Sequence, residues 1–190
     1  MKHWLIILLL MPSLLQAEGM EDALRLVESL QMARLARLQE RLPVPVKPFA
    51  SDGCSGGMSA GWTVFAEGLP GVAKKLGRRP PWEGCCVIHD RAYWQGRGEG
   101  GYAARLAADQ ALRQCVLDTA AAEGDAWAAQ VGIPPERMQA LMRQVAGAMY
   151  LAVRLGGGPC TGLPWRWGHG WPECDSLPDD RHMARMESGR

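Results

Sequence analysis

Long hydrophobic runs are scarce in this chain of 190 residues. Beyond Leu15 no stretch approaches the roughly 20 apolar residues that a membrane-spanning helix needs. The most apolar later stretch, Met138 to Leu155, follows Arg137 and contains Arg143 and Arg154, a pattern that suits an amphipathic helix better than a membrane span. Excess charge of one sign is also missing. The chain has 21 Lys and Arg against 20 Asp and Glu, a formal net charge of +1, and loss of Lys2 would leave none. A near-neutral chain has no electrostatic means of wrapping nucleic acid. Internal repeats and alternating strand patterns are absent, which leaves a mainly α class. Spaced Cys-x-x-Cys pairs are absent as well, which argues against a zinc site built from Cys54, Cys85, Cys86 and Cys115.

The first residues read as a leader. Lys2 and His3 give a charged start, Trp4 to Leu15 is apolar apart from Pro12 and Ser13, and Leu15-Gln16-Ala17 offers a cleavage point, so 1–17 is expected to be a signal peptide. The apolar run is short for a bilayer; an uncleaved N-terminal anchor is the alternative. Export to a periplasm or out of the cell follows, and with it an oxidising compartment. There the six cysteines, Cys54, Cys85, Cys86, Cys115, Cys160 and Cys174, suggest three disulfides.

After the leader, 18–48 reads as an amphipathic helix and a Pro-rich connector. Leu24, Val27, Leu30, Leu35, Leu38 and Leu42 recur near a helical period, with Arg25, Glu28, Arg34, Arg37 and Arg41 between them. Pro43, Pro45 and Pro48 end the helix. Residues 49–174 form the main domain, with a Gly-rich turn around Cys54 and an irregular stretch from Trp62 to Trp82. Two core helices follow, Gly84 to Gln95 and Tyr102 to Ala122, joined by a turn at Gly96 to Gly101. Pro134 marks the start of a further helix to about Leu155, which Gly156, Gly157 and Gly158 stop. Trp165, Trp167 and Trp171 lie between Cys160 and Cys174, and 175–190 is a polar tail. These tryptophans are read as packing over a helix pair, with a lipid interface as the alternative.

The informative stretch is Cys85-Cys86-Val87-Ile88-His89-Asp90-Arg91-Ala92-Tyr93. On a helix Cys86, His89, Asp90 and Tyr93 share one face. On the next helix Asp109 is the only acidic residue on the face of Leu112, Cys115 and Val116. If Cys85 bonds Cys115, His89 lies about 6 Å from that clamp along one helix and Asp109 about 9 Å along the other. The two side chains can then meet. A carboxylate on one imidazole nitrogen fixes the tautomer and leaves the other basic. Asp90 remains to bind a cation, and Gly53-Cys54-Ser55-Gly56-Gly57 can turn carbonyls toward it if Cys54 bonds Cys86. Cys160 would then pair with Cys174.

Cys85-Cys86-Val87-Ile88-His89-Asp90 with Tyr93 resembles the active-site helix of secreted phospholipase A2. Asp109 with Cys115 resembles that family's second helix, and Gly53 to Gly57 its calcium loop. The spacing is most similar to the compact bacterial and fungal branch, and the match covers Asp52 to Val116. Ser55 stands where that family usually has glycine. The resemblance implies a disulfide-linked antiparallel helix pair with added N- and C-terminal helices. It implies that His89 deprotonates water, that Asp109 orients His89, and that Tyr93 supports Asp109. Ca2+ would be held by Asp90 and the carbonyls of Gly53, Ser55 and Gly57. The substrate would be a glycerophospholipid at a membrane surface, cut at sn-2 into fatty acid and lysophospholipid. Two other readings stay open: a non-catalytic binding protein on the same scaffold, and an esterase for another acyl ester. Lys74, Lys75, Arg78 and Arg79 could touch anionic head groups or form a solvated loop.

Overall fold

The computed structural model describes residues 25–42, 44–45, 47–54, 75–77, 79–97 and 101–174. The leader, the loop residues Ser55 and Gly57, Lys74 and Arg78 of the basic run, and the tail 175–190 lie outside the described residues. Among the described residues the chain is mainly helical and contains no strand. The main helices among the described residues are α1 (described over 25–41), α2 (Glu83–Gln95), α3 (Tyr102–Val131) and α4 (Pro135–Gly156), and residues 75–76 are also helical.

Each end has a local cause. Glu83 in the first turn of α2 complements the helix dipole, and Gly96 closes it in the left-handed region at φ +53°, its N–H donating to the Ala92 carbonyl. Helix α3 ends the same way at Gly132, φ +86°. Pro135 opens α4, where a missing N–H costs nothing. Helix α3 runs on to Val131 rather than stopping near Ala122. Gly124, inside that extension, is buried, and a Cβ there would stand 2.7 Å from Gln139 Nε2, so the glycine serves the approach of α4.

The stripe that α3 buries is Arg105, Asp109, Leu112, Val116, Ala120, Gly124, Trp127 and Ala128. Its apolar part meets Met138, Met142, Ala146 and Met149 of α4, with Trp82 and Cys86 at one end. Small residues on one side and flexible methionines on the other let the helices pack closely. A second cluster, Leu35, Tyr93, Trp167 and Trp171, joins α1 to α2 and the Trp-rich loop.

All six cysteines are disulfide-bonded: Cys54–Cys86, Cys85–Cys115 and Cys160–Cys174. Helix α2 runs against α3, as three cross-links in opposite order show: the Cys85–Cys115 bond, His89 on Asp109, and Tyr93 with Arg105. The apolar stripe expected on α1 is only partly buried. Leu35 and Leu38 enter the core, whereas Val27 and Leu30 face outward and Glu28 is buried in their place.

The Trp-rich loop caps α2. A helix leaves its last carbonyls without partners. Here Tyr93 O accepts from Gly168 N (2.6 Å), Trp94 O from Gly170 N (3.1 Å) and Gln95 O from Trp171 Nε1 (2.7 Å). Arg166, fully buried, organises the loop by donating to the carbonyls of Trp167, Gly168, Trp171 and Pro172. The loop therefore approaches Gly96 so closely that a Cβ there would overlap the Gly168 backbone. Gly96→Ala is expected to lose at least about 2 kcal/mol in urea unfolding. Gly132→Ala, with the same φ sign but open space around it, should lose only about 1 kcal/mol. Equal losses would show that loop packing on α2 is not what matters at Gly96.

Candidate active site

His89, Asp90 and Tyr93 lie on the buried face of α2, and Asp109 on that of α3. His89 Nε2 lies 2.9 Å from Asp109 Oδ1, and the Tyr93 hydroxyl donates to the same oxygen at 2.6 Å. The Asp109 side chain is completely buried. An ionised carboxylate has no proton to give, so Nε2 is the donor and the basic lone pair of the neutral ring is on Nδ1. Burial pushes the Tyr93 phenol well above its ordinary range and the charge of Asp109 pushes it further, so Tyr93 stays protonated and donates.

A buried carboxylate needs charge compensation. Arg154 of α4 donates to Asp109 Oδ2 at 2.8 Å, and Arg105 stands 3.5 Å from the same oxygen. Both guanidiniums also bind Glu28 of α1. Arg105 does so in two parallel bonds of 2.7 and 2.9 Å, and Arg154 through Nη2 at 2.9 Å. Two cations and two anions thus form a closed set from three helices. Burial alone would raise the Asp109 carboxyl. The bonds from His89, Tyr93 and Arg154 and the charge of Arg105 outweigh it and hold Asp109 below the usual carboxylate range.

Asp90 lies on the other side of His89. Its Oδ2 accepts a short hydrogen bond from the Ser51 hydroxyl, and Ser51 Oγ accepts from the Gly53 N–H at 3.1 Å. The Cys54–Cys86 disulfide, with 4.9 Å between Cα atoms, holds this turn against α2. Gly53 has φ +82° and packs against Glu83. A cavity of about 330 Å³ opens here, lined by Asp90, Ser51, Asp52, Lys47, Trp165 and His169 among others. Burial raises the Asp90 carboxyl; Ser51 and His89 oppose the rise and Asp52 adds to it. Burial also holds the His169 imidazole below its ordinary value, against its hydrogen bond to the Asp90 carbonyl. Asp90 is therefore a desolvated carboxylate beside open space, with Ser51 as its only side-chain donor among the described residues. That donor set suits a hard cation. Among the described residues no three His, Cys, Asp or Glu are grouped to hold a metal. The expected calcium site does not have that form, since it uses one carboxylate and backbone carbonyls.

The structure brings His89, Asp109, Tyr93, Asp90 and Gly53 to one region, while Ser55 and Gly57 lie outside the described residues. Sequence reasoning missed Glu28, Arg105, Arg154 and Ser51. One signal was present: Arg105 precedes Asp109 by one helical turn and shares its face. No protein-family model, curated protein or solved structure matches the chain.

Removing one member of a buried ionic set strands its partners. Arg154→Met is expected to cost about 3–5 kcal/mol in urea unfolding at neutral pH. The pH response has a definite sign. The folded Asp109 carboxyl lies below its unfolded value of about 3.9. Its contribution is thus fully present above that pH and is lost as pH falls through the folded value. Wild type should therefore lose stability below about pH 4 more steeply than Asp109→Asn. Parallel pH curves would contradict the assignment.

Proposed function

We propose that this chain is a calcium-dependent hydrolase of glycerophospholipid acyl esters, acting at the sn-2 position as the phospholipase A2 enzymes it resembles do. The observation that carries the reading is a buried His89–Asp109 pair, braced by Tyr93, one residue from a desolvated carboxylate beside a cavity. The antiparallel α2–α3 pair joined by Cys85–Cys115 supports the reading, because it sets His89 level with Asp109. Three disulfides fit an oxidising compartment, which supports export. No helix among the described residues is long and apolar enough to cross a membrane.

In this reading Nδ1 of His89 takes a proton from water, and the hydroxide so formed attacks the ester carbonyl carbon. Asp109 stabilises the resulting imidazolium and keeps the ring in place. On collapse of the tetrahedral intermediate the ester C–O bond breaks, and His89 returns the proton to the leaving glyceryl oxygen. The products are a fatty acid and a lysophospholipid, and no acyl-enzyme forms. Calcium, held by Asp90 and the carbonyls of Gly53, Ser55 and Gly57, would supply positive charge for the oxyanion, with the Ser55 N–H as a second donor. The Tyr93 donor and the Arg105 and Arg154 cations keep Asp109 ionised throughout.

Purified protein with mixed phospholipid vesicles should release acyl chains with calcium and stop with EDTA. His89→Gln should lower the rate by about 10²–10⁴-fold. Asp90→Asn should abolish calcium binding measured by calorimetry. Turnover indifferent to both EDTA and His89→Gln would reject the mechanism.

A further inference from the structure

A larger cavity lies on the far side of the ionic set from Asp90. Its volume is about 580 Å³, within the roughly 300–1,000 Å³ of small-molecule sites. Helix α1, the start of α3 and the end of α4 enclose it, and it shares no lining residue with the cavity at Asp90. Its walls include Val27, Leu106, Leu151 and Leu155. Three of these are exposed although apolar: Val27 at 54%, Leu151 at 58% and Leu155 at 73%. The burial of Glu28 explains the exposure of Val27, because turning that carboxylate inward to Arg105 and Arg154 rotates its neighbour on α1 out of the core. Apolar side chains gathered around a cavity mark a binding surface more often than chance exposure does.

The charge of the cavity selects the occupant. Its lining holds three guanidiniums, Arg25, Arg105 and Arg154, against one carboxylate, Glu28. Arg105 is fully committed, since its donors reach Glu28, Tyr93 and the carbonyls of Val153 and Arg154. Arg154 is largely so, bound to Asp109 and Glu28. Arg25 differs. It is exposed, and its contact among the described residues is the face of Tyr102, with 5.1 Å from guanidinium to ring centroid. Arg154 lies against the same ring at 5.2 Å. That contact holds the Arg25 guanidinium at the cavity, and among the described residues its N–H donors have no hydrogen-bond acceptor, which suits an anion.

We propose that this cavity binds one long-chain carboxylate, its hydrocarbon against Val27, Leu106, Leu151 and Leu155 and its head group on Arg25. The site is separate from the one assigned to ester hydrolysis and needs no turnover.

The test is calorimetric titration of the full chain in EDTA with dodecanoate below its micellar concentration. EDTA removes calcium and with it the proposed hydrolysis, so failure here would leave that reading untouched. Saturable binding of one dodecanoate per chain is expected. Arg25→Glu and Leu155→Glu, both exposed changes that should leave the circular dichroism intact, are each expected to weaken it at least about tenfold. Dodecyltrimethylammonium, with the same chain and the opposite charge, should bind at least about tenfold more weakly than dodecanoate. Absence of dodecanoate binding, or affinity indifferent to Arg25→Glu or to head-group charge, would overturn the proposal. So would sedimentation showing a dimer that Leu155→Glu dissociates and dodecanoate does not, since the surface would then belong to a second copy.

Discussion

Asp109 is the constraint on which the rest of the structure depends. A carboxylate with no exposed surface is stable as an anion only if its surroundings supply donors and positive charge. His89, Tyr93, Arg154 and Arg105 do so from α2, α3 and α4. Two guanidiniums around one carboxylate would leave excess positive charge, and Glu28 of α1 removes it. One buried charge therefore dictates how four helices meet. It also dictates the side of α1 that turns inward, and hence the apolar side chains left outside.

The disulfides and the Trp-rich loop hold the frame in which this balance is set. Cys85–Cys115 fixes the register of α2 against α3, and Cys54–Cys86 fixes the Ser51–Gly53 turn beside Asp90. The loop closed by Cys160–Cys174 supplies donors to the last carbonyls of α2, and Trp167 packs edge-on against Tyr93 at 5.1 Å. Tyr93 is thus held from two sides, by the tryptophan ring and by Asp109. A rigid phenol on the orienting carboxylate is what keeps an imidazole in one pose.

Much of this was legible in the sequence. Helical spacing put His89, Asp90 and Tyr93 on one face, and the Cys85–Cys115 clamp brought Asp109 level with His89. The ionic set was not legible, because polar residues between leucines read as a solvent face. Nothing local to α1 shows that Glu28 pairs with residues 77 and 126 positions away. Arg154 was visible only as one of several arginines in an amphipathic stretch. The extent of α3 was missed for a related reason: Gly124 is costly in a free helix but useful where α4 approaches. Long-range pairing decides such positions.

Asp109 fixes the tautomer of the His89 imidazole, so that the unprotonated nitrogen of the neutral ring is Nδ1 and the proton sits on Nε2. Nitrogen-15 NMR of the imidazole, near pH 8 and without calcium, tests this most directly. A bonded Nε2–H signal and an unprotonated Nδ1 are expected, with the Nε2–H proton shifting upfield in Asp109→Asn. A ring protonated on Nδ1, or a spectrum unchanged by Asp109→Asn, would contradict it.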